Sequence, residues 1–198
     1  AVVVHFKSLV WGIYSDSCVM LKKLQLDKAK NIDGWMSELE LQFLAECAAK
    51  SKIVFEIGSY RGRSARAMAD NSGATIYCID PWGAVVYNEK GVAFYTDMNT
   101  YGIFYANLYS YIKVGRVIPV ISLWEEYEPP CKADFIFIDG DHRYPAVKTD
   151  IDKALKYINP GGIIAGLDFE ASWVGVVKAV EETFPKFDLT DTIWSVHA

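Results

Sequence analysis

Polar and acidic residues recur in this chain just after short apolar runs, in combinations that can do chemistry. In Glu56-Ile57-Gly58-Ser59-Tyr60-Arg61-Gly62-Arg63-Ser64, an acid precedes two glycines four apart, and the small-residue run to Ala69 follows. Glycines so placed let the backbone turn tightly and approach a ligand where a side chain would clash. A helix starting behind them aims its leading amides at that ligand. A dinucleotide turn would read G-x-G-x-x-G, which fits a pyrophosphate. The G-x-x-x-G spacing after Glu56 instead suits a ligand with no pyrophosphate and an amino-acid end. Asp80 closes a second apolar run, where a carboxylate can accept from the hydroxyls of a ribose. Trp82, two residues on, is placed to cover an adenine face. Ser122 and Trp124 follow a third run, Asp139, Asp141 and His142 a fourth, and Asp168 a fifth. A glycine turn, a ribose-binding acid and an adenine wall together describe S-adenosylmethionine better than a nicotinamide dinucleotide.

The apolar runs are Ile53-Val54-Phe55, Ala74 to Ile79, Val117 to Ile121, Asp134 to Ile138 and Ile163 to Leu167. Each is short and nearly continuous, as strands covered on both faces should be. Helical patterns alternate with them. From Met36 to Lys50, Leu41, Leu44, Ala45 and Ala48 share a face, and Ser37 with Glu40 forms a capping-box pattern ahead of it. Phe104, Leu108, Tyr111 and Ile112 keep helical spacing. Pro145 opens a helix with Val147, Ile151, Ala154, Leu155 and Ile158 inward, and Asn159-Pro160-Gly161-Gly162 stops it. Ser172 is expected to cap a last helix that buries Trp173, Val176, Val177, Val180 and Phe184. Phe187 to Val196 holds one or two final strands. Alternating strands and helices imply right-handed crossovers and a parallel sheet. The expected fold is α/β: a Rossmann-like, doubly wound, mostly parallel sheet with helices on both faces and an antiparallel last strand. One domain spans residues 1–198, with 1–34 as lead-in and the aromatic-rich 81–112 as a substrate or lid region. Ligands of such sheets bind outside the carboxyl ends of the strands, where the polar residues above stand.

Bulk composition narrows the classes. The chain has 198 residues, 52% of them hydrophobic, enough for one sizeable core. Its net charge of −5 argues against a nucleic-acid partner, which wants a basic surface. Cys18, Cys47, Cys78 and Cys131 are scattered, so neither a zinc site nor a disulfide framework is indicated. No apolar run reaches the ~20 residues that span a bilayer, and no membrane partner is expected. With no leader pattern at the start, a cytoplasmic protein is expected.

Four segments, "FEIGSYRGRSARAMA", "IYCIDPWG", "DFIFIDGDHRYPAVKTDIDKALKYINPGGIIAGLDF" and "VGVVKAVEETF", resemble the class I S-adenosylmethionine-dependent methyltransferases, in particular methyltransferase domain 24. The chain is similar, more distantly, to catechol O-methyltransferase and to metal-dependent sugar O-methyltransferases. The resemblance implies that Gly58, Tyr60 and Ser64, with Ser59 and Gly62 in the same turn, hold the cofactor's methionine end. Glu56 orders that turn, Asp80 binds ribose, and Ser122 falls in the adenine-contacting segment. In the catechol-type pattern an Asp after the fourth strand and an acidic pair after the fifth hold Mg²⁺. Asp139 and Asp168 match the first two positions, and Phe169, which cannot ligate, stands at the third. His142 stands where that pattern has its lysine base, three residues after Asp139, and an imidazole near its ordinary pKa of ~6.5 can take a hydroxyl proton.

The implied function is S-adenosylmethionine-dependent methyl transfer to a small-molecule acceptor, most naturally a hydroxyl oxygen. Mg²⁺ or another divalent cation assists, and His142 and Asp139 are catalytic. A non-catalytic scaffold that keeps the cofactor site is the alternative, and a homodimer is compatible with either reading. Arg61 and Arg63 suit solvent or an anionic acceptor equally. Tyr87, Phe94, Tyr95, Tyr101, Phe104, Tyr105, Tyr109 and Tyr111 suit an acceptor pocket or the core.

Overall fold

The computed structural model describes residues 3–4, 19–20, 23–83, 85–87, 93–95 and 99–198. In chain order its elements are β1 (Val3–Val4), β2 (Val19–Met20), α1 (Asp27–Lys30), α2 (Glu38–Ala49), β3 (Ile53–Ile57), α3 (Arg63–Asn71) and β4 (Thr75–Asp80). Then come β5 (Val85–Tyr87), β6 (Ala93–Tyr95), α4 (Thr100–Lys113), β7 (Val117–Ile121), β8 (Ala133–Ile138) and α5 (Tyr144–Tyr157). The chain closes with β9 (Ile158–Gly166), α6 (Val174–Thr183), β10 (Asp188–Thr190) and β11 (Ile193–His197).

Seven strands form one sheet in the order β10-β11-β9-β8-β3-β4-β7. β9, β8, β3, β4 and β7 run parallel, and β11 is antiparallel to both β9 and β10. The chain therefore starts in the middle of the sheet, winds out to one edge, returns, and winds out to the other. That reversal leaves the exits of β3 and β8 as neighbours at the switch point, where a ligand crevice forms.

The inner strands β3 and β8 bury both faces, which explains their unbroken apolar runs. Val54, Ile76, Phe135 and Phe137 face α2, α3 and α4, while Phe55, Ile136, Ile138 and Ile164 face α5 and α6. Each fully buried large side chain contributes about 1.5–3 kcal/mol. The capping box of α2 is present: Glu40 N donates to Ser37 Oγ (3.3 Å) and Ser37 N donates to Glu40 Oε2 (2.8 Å). Glu40 does more than cap. Its other oxygen accepts from Thr192 Oγ1 (2.6 Å), which ties α2 to the β10–β11 turn. Among the described residues no helix is long and apolar enough to cross a membrane.

Three local expectations are corrected. Asn159-Pro160-Gly161-Gly162 does not separate helix from strand, because β9 begins at Ile158, which already pairs with Ala133 of β8. Gly161 N donates to Ala198 O (2.8 Å) and Ala198 N to Gly162 O (2.9 Å), so the C-terminus holds this segment in the sheet. Leu155 is 43% exposed; Val147, Ile151 and Ala154 make the buried stripe of α5. Ser172 does not cap α6: Trp173 takes that position, and the Ser172 hydroxyl donates to Glu170 Oε1 (2.6 Å). The region 81–112 lies partly outside the described residues, including the side chains of Tyr87, Phe94 and Tyr95.

Candidate active site

The turn after β3 is built around a buried carboxylate. Glu56 is 0% exposed and accepts from Ser59 Oγ and Ser64 Oγ, both at 2.5 Å. One acid so ties the start of the turn to the first turn of α3. Burial pushes the Glu56 carboxyl up to about 7, against the hydroxyls that donate to it. Gly58 has φ +83°, and a Cβ there would lie 1.9 Å from the Asp139 carbonyl oxygen. Gly62, at φ +86°, caps α3, and its absent side chain makes room for Leu108 and Phe104. Tyr60 takes the left-handed region at φ +45° without being glycine, a strained geometry of the kind that gathers at ligand sites.

Asp80 holds the other side of the turn. Its Oδ2 accepts from Ser59 N (3.0 Å) and Tyr60 N (2.9 Å), and its Oδ1 accepts from Trp82 N (2.7 Å). Burial raises its carboxyl, and those three amides oppose the shift. A carboxylate offers about four acceptor sites, so capacity remains for a ligand hydroxyl. Trp82 donates its indole N–H to Tyr60 O (2.8 Å) and packs its ring on Phe104 (4.6 Å) and Tyr101 (5.1 Å). It therefore braces the turn against α4, in addition to the adenine contact expected of it. Ser122 follows Ile121, the partner of Asp80 across β4 and β7, and so lies on the same side of the site. Arg61 and Arg63 are braces: Arg61 pairs with Asp33 (2.5 Å), and Arg63 donates to Ile32 O and Met36 O, both at 2.8 Å.

The exits of β8 and β9 bring the remaining expected residues together. Asp139 N donates to Ile57 O (2.8 Å) and Leu167 N to Ile138 O (3.0 Å), so adjacent strands end in register. His142 Nε2 lies 2.8 Å from Asp168 Oδ2 and 3.7 Å from Asp139 Oδ1. Burial pulls the imidazole down, but the two carboxylates outweigh it and raise it to about 10. Burial raises Asp139 to about 6 against the lowering effect of His142. The Asp141 carboxylate is engaged by the Arg143 guanidinium. Trp173, expected only as core, stacks its ring on His142 (4.3 Å between centroids). No local spacing signals that contact, since it joins α6 to the loop before α5. Phe169 lies on Phe187 (4.9 Å).

The residues at this end of the sheet fit the groups the sequence implies. Backbone amides, glycines and two acids of the β3 and β4 exits suit a cofactor carrying an amino acid and a ribose. Asp139, His142 and Asp168 bring ligand atoms within 4.8 Å of one another, a donor set for a divalent cation. His142 Nε2 is buried and, among the described residues, has no hydrogen-bond partner of good geometry. A cavity of about 230 Å³ lies elsewhere, between Phe43 and Glu46 of α2, Lys50 just after it, and Asp188, Thr190, Ser195 and His197; it includes none of the residues of this site.

A central glycine turn, an acid at the next strand's end and an antiparallel β11 between β9 and β10 make up the class I methyltransferase fold. A family model described as a methyltransferase domain matches residues 55–169, and the chain belongs to that family. Its solved neighbours share the fold at low identity. The O-methyltransferase from Bacillus cereus in complex with SAH superposes with TM-score 0.59 at 20% identity, over 86% of each chain. A SAM-dependent O-methyltransferase from Thermotoga maritima gives 0.60 at 16% identity, over 82% of this chain and 57% of the other. The SAH-bound methyltransferase of Podospora anserina gives 0.57 at 18%, over 81% and 78%. A curated relative, an uncharacterized protein of Acanthamoeba polyphaga mimivirus, is 28% identical over 132 residues, 66% of this chain. The chain spans 58% of that relative's length.

Proposed function

We propose that this chain transfers the methyl group of S-adenosylmethionine to a hydroxyl oxygen of a small-molecule acceptor, with a divalent cation held by Asp139 and Asp168. The observation that carries the reading is the contact between its two halves. The glycine turn at Gly58 sits directly on the backbone of Asp139, so a cofactor on one is beside an acceptor on the other.

S-adenosylmethionine would supply a sulfonium methyl whose carbon an acceptor oxygen can attack as the carbon–sulfur bond breaks and S-adenosylhomocysteine leaves, and a divalent cation would supply Lewis acidity that favours the ionised hydroxyl. The protein's share is placement and charge. The turn from Gly58 to Ser64, locked by Glu56, would receive the methionine end. Asp80 would receive the ribose, with Trp82 and Ser122 on the adenine side. Asp139, His142 and Asp168 would fix the acceptor oxygen opposite the methyl group, since holding two reactants in line removes much of the entropic cost of their meeting. The acidic cluster and the net charge of −5 favour a small hydroxylated acceptor over a nucleic acid.

The test is an assay with methyl-labelled S-adenosylmethionine, Mg²⁺ or Mn²⁺, and a panel of hydroxylated aromatic, sugar and aliphatic acceptors. Label in an ether product, with one S-adenosylhomocysteine formed per transfer, supports the reading. Cofactor binding with no transfer to any oxygen acceptor contradicts it and favours the non-catalytic scaffold.

A further inference from the structure

We propose that His142 is itself a metal ligand, and that Asp139, His142 and Asp168 select a first-row transition cation such as Mn²⁺, Fe²⁺, Co²⁺ or Zn²⁺ over Mg²⁺. This rests on the reading that Asp139 and Asp168 hold a divalent cation. Four observations point to the imidazole as the third donor.

His142 Nε2 is buried, lies 2.8 and 3.7 Å from the two carboxylates, and among the described residues makes no hydrogen bond of good geometry. Its ring is oriented from behind. Trp173 stacks on it at 4.3 Å with 31° between planes, and α6 presses so closely that a Cβ on Gly175 would lie 2.3 Å from His142 O. Asp168 holds φ +64°, a left-handed geometry that points its carboxylate from a strained backbone. The next residue supplies no oxygen. Phe169 packs on Phe187 and its backbone N–H donates to Thr192 O (2.9 Å), so the position that would complete an all-oxygen set holds a half-buried ring packed against the core.

The consequence is one of ligand chemistry. Mg²⁺ demands near-octahedral oxygen donors, whereas an imidazole with two carboxylates suits the borderline transition cations. A coordinated imidazole has committed its lone pair, so this assignment replaces the proton-acceptor role expected for His142.

Pulsed electron paramagnetic resonance on the full chain with Mn²⁺, in a nitrogen-free buffer, reads the donor set directly. The expected result is a ¹⁴N coupling that becomes ¹⁵N in protein grown on ¹⁵N-histidine and disappears in His142→Ala. In a parallel competition titration, Co²⁺ should bind more tightly than Mg²⁺, and His142→Asp should narrow that gap by about 10-fold or more. S-adenosylhomocysteine calorimetry on every sample reports whether the fold and cofactor site survive the substitution. Bound Mn²⁺ with no nitrogen coupling overturns the role of His142 and leaves the carboxylate-held cation standing. No Mn²⁺ binding by protein that still binds S-adenosylhomocysteine overturns both.

Discussion

Glu56 is the side chain on which the glycine turn depends, and its burial gives it a measurable signature. Its carboxyl rises from 4.5 to about 7 on folding, chiefly through burial. The folded chain therefore takes up a proton between those values. The stability this group contributes is complete below pH 4.5 and is lost as pH rises through about 7. The loss amounts to roughly 3 kcal/mol, at 1.36 kcal/mol per pKa unit. Urea unfolding of Glu56→Gln across that window should show a flatter pH dependence than wild type by about that amount, with both serine hydroxyls still partnered by the amide. Equal slopes would mean that Glu56 is ionised in the folded state. Asp80 makes a second residue-scale prediction. Asp80→Ala leaves the amides of Ser59, Tyr60 and Trp82 without their acceptor and removes the proposed ribose partner. S-adenosylhomocysteine affinity should fall by about 1–3 kcal/mol, or roughly 5- to 150-fold. An unchanged dissociation constant would show that the acid serves the turn alone.

At the scale of elements, the site exists because β3 and β8 end side by side with almost no space between their exits. Gly58 is the point of contact. Any side chain there meets the Asp139 carbonyl and an unfavourable φ of +83° together. Gly58→Ala should destabilise the chain by about 2–4 kcal/mol and weaken cofactor binding, as chemical denaturation and calorimetry would show. Wild-type stability in that variant would mean the two exits are looser than this geometry requires. The same elements show what a sequence displays and what it hides. Strands β3, β4 and β8 were legible because covering on two faces writes a short apolar run. The capping box of α2 and the glycine turn were legible because their partners lie within a few residues. The early start of β9 was hidden, since Ile158 joins the sheet through Ala133 and the C-terminus, both remote in sequence. The start of α6 was misread because Trp173 is placed by His142 across a gap of 31 positions, not by a local cap. Within the site, Asp139 and Asp168 could be assigned to neighbouring exits from topology alone. The position of His142 between them depends on how the loop before α5 folds back under α6, which no spacing records.

The whole molecule divides its work between two cores and one open edge. Helices α1 to α4 on one face and α5 and α6 on the other bury the sheet, and the polar groups gather where the strands leave it. Glu40 and Arg63 fasten the segment before α2 to the β10–β11 turn and to the start of α3, closing the frame around the glycine turn. A frame so braced should bind its cofactor without a large rearrangement. The most direct measurement is calorimetric titration of the folded full chain with S-adenosylhomocysteine at neutral pH. Saturable one-to-one binding in the micromolar range, about −8 kcal/mol, is the predicted result. A folded sample that gives no binding signal at millimolar ligand would contradict the account at its centre.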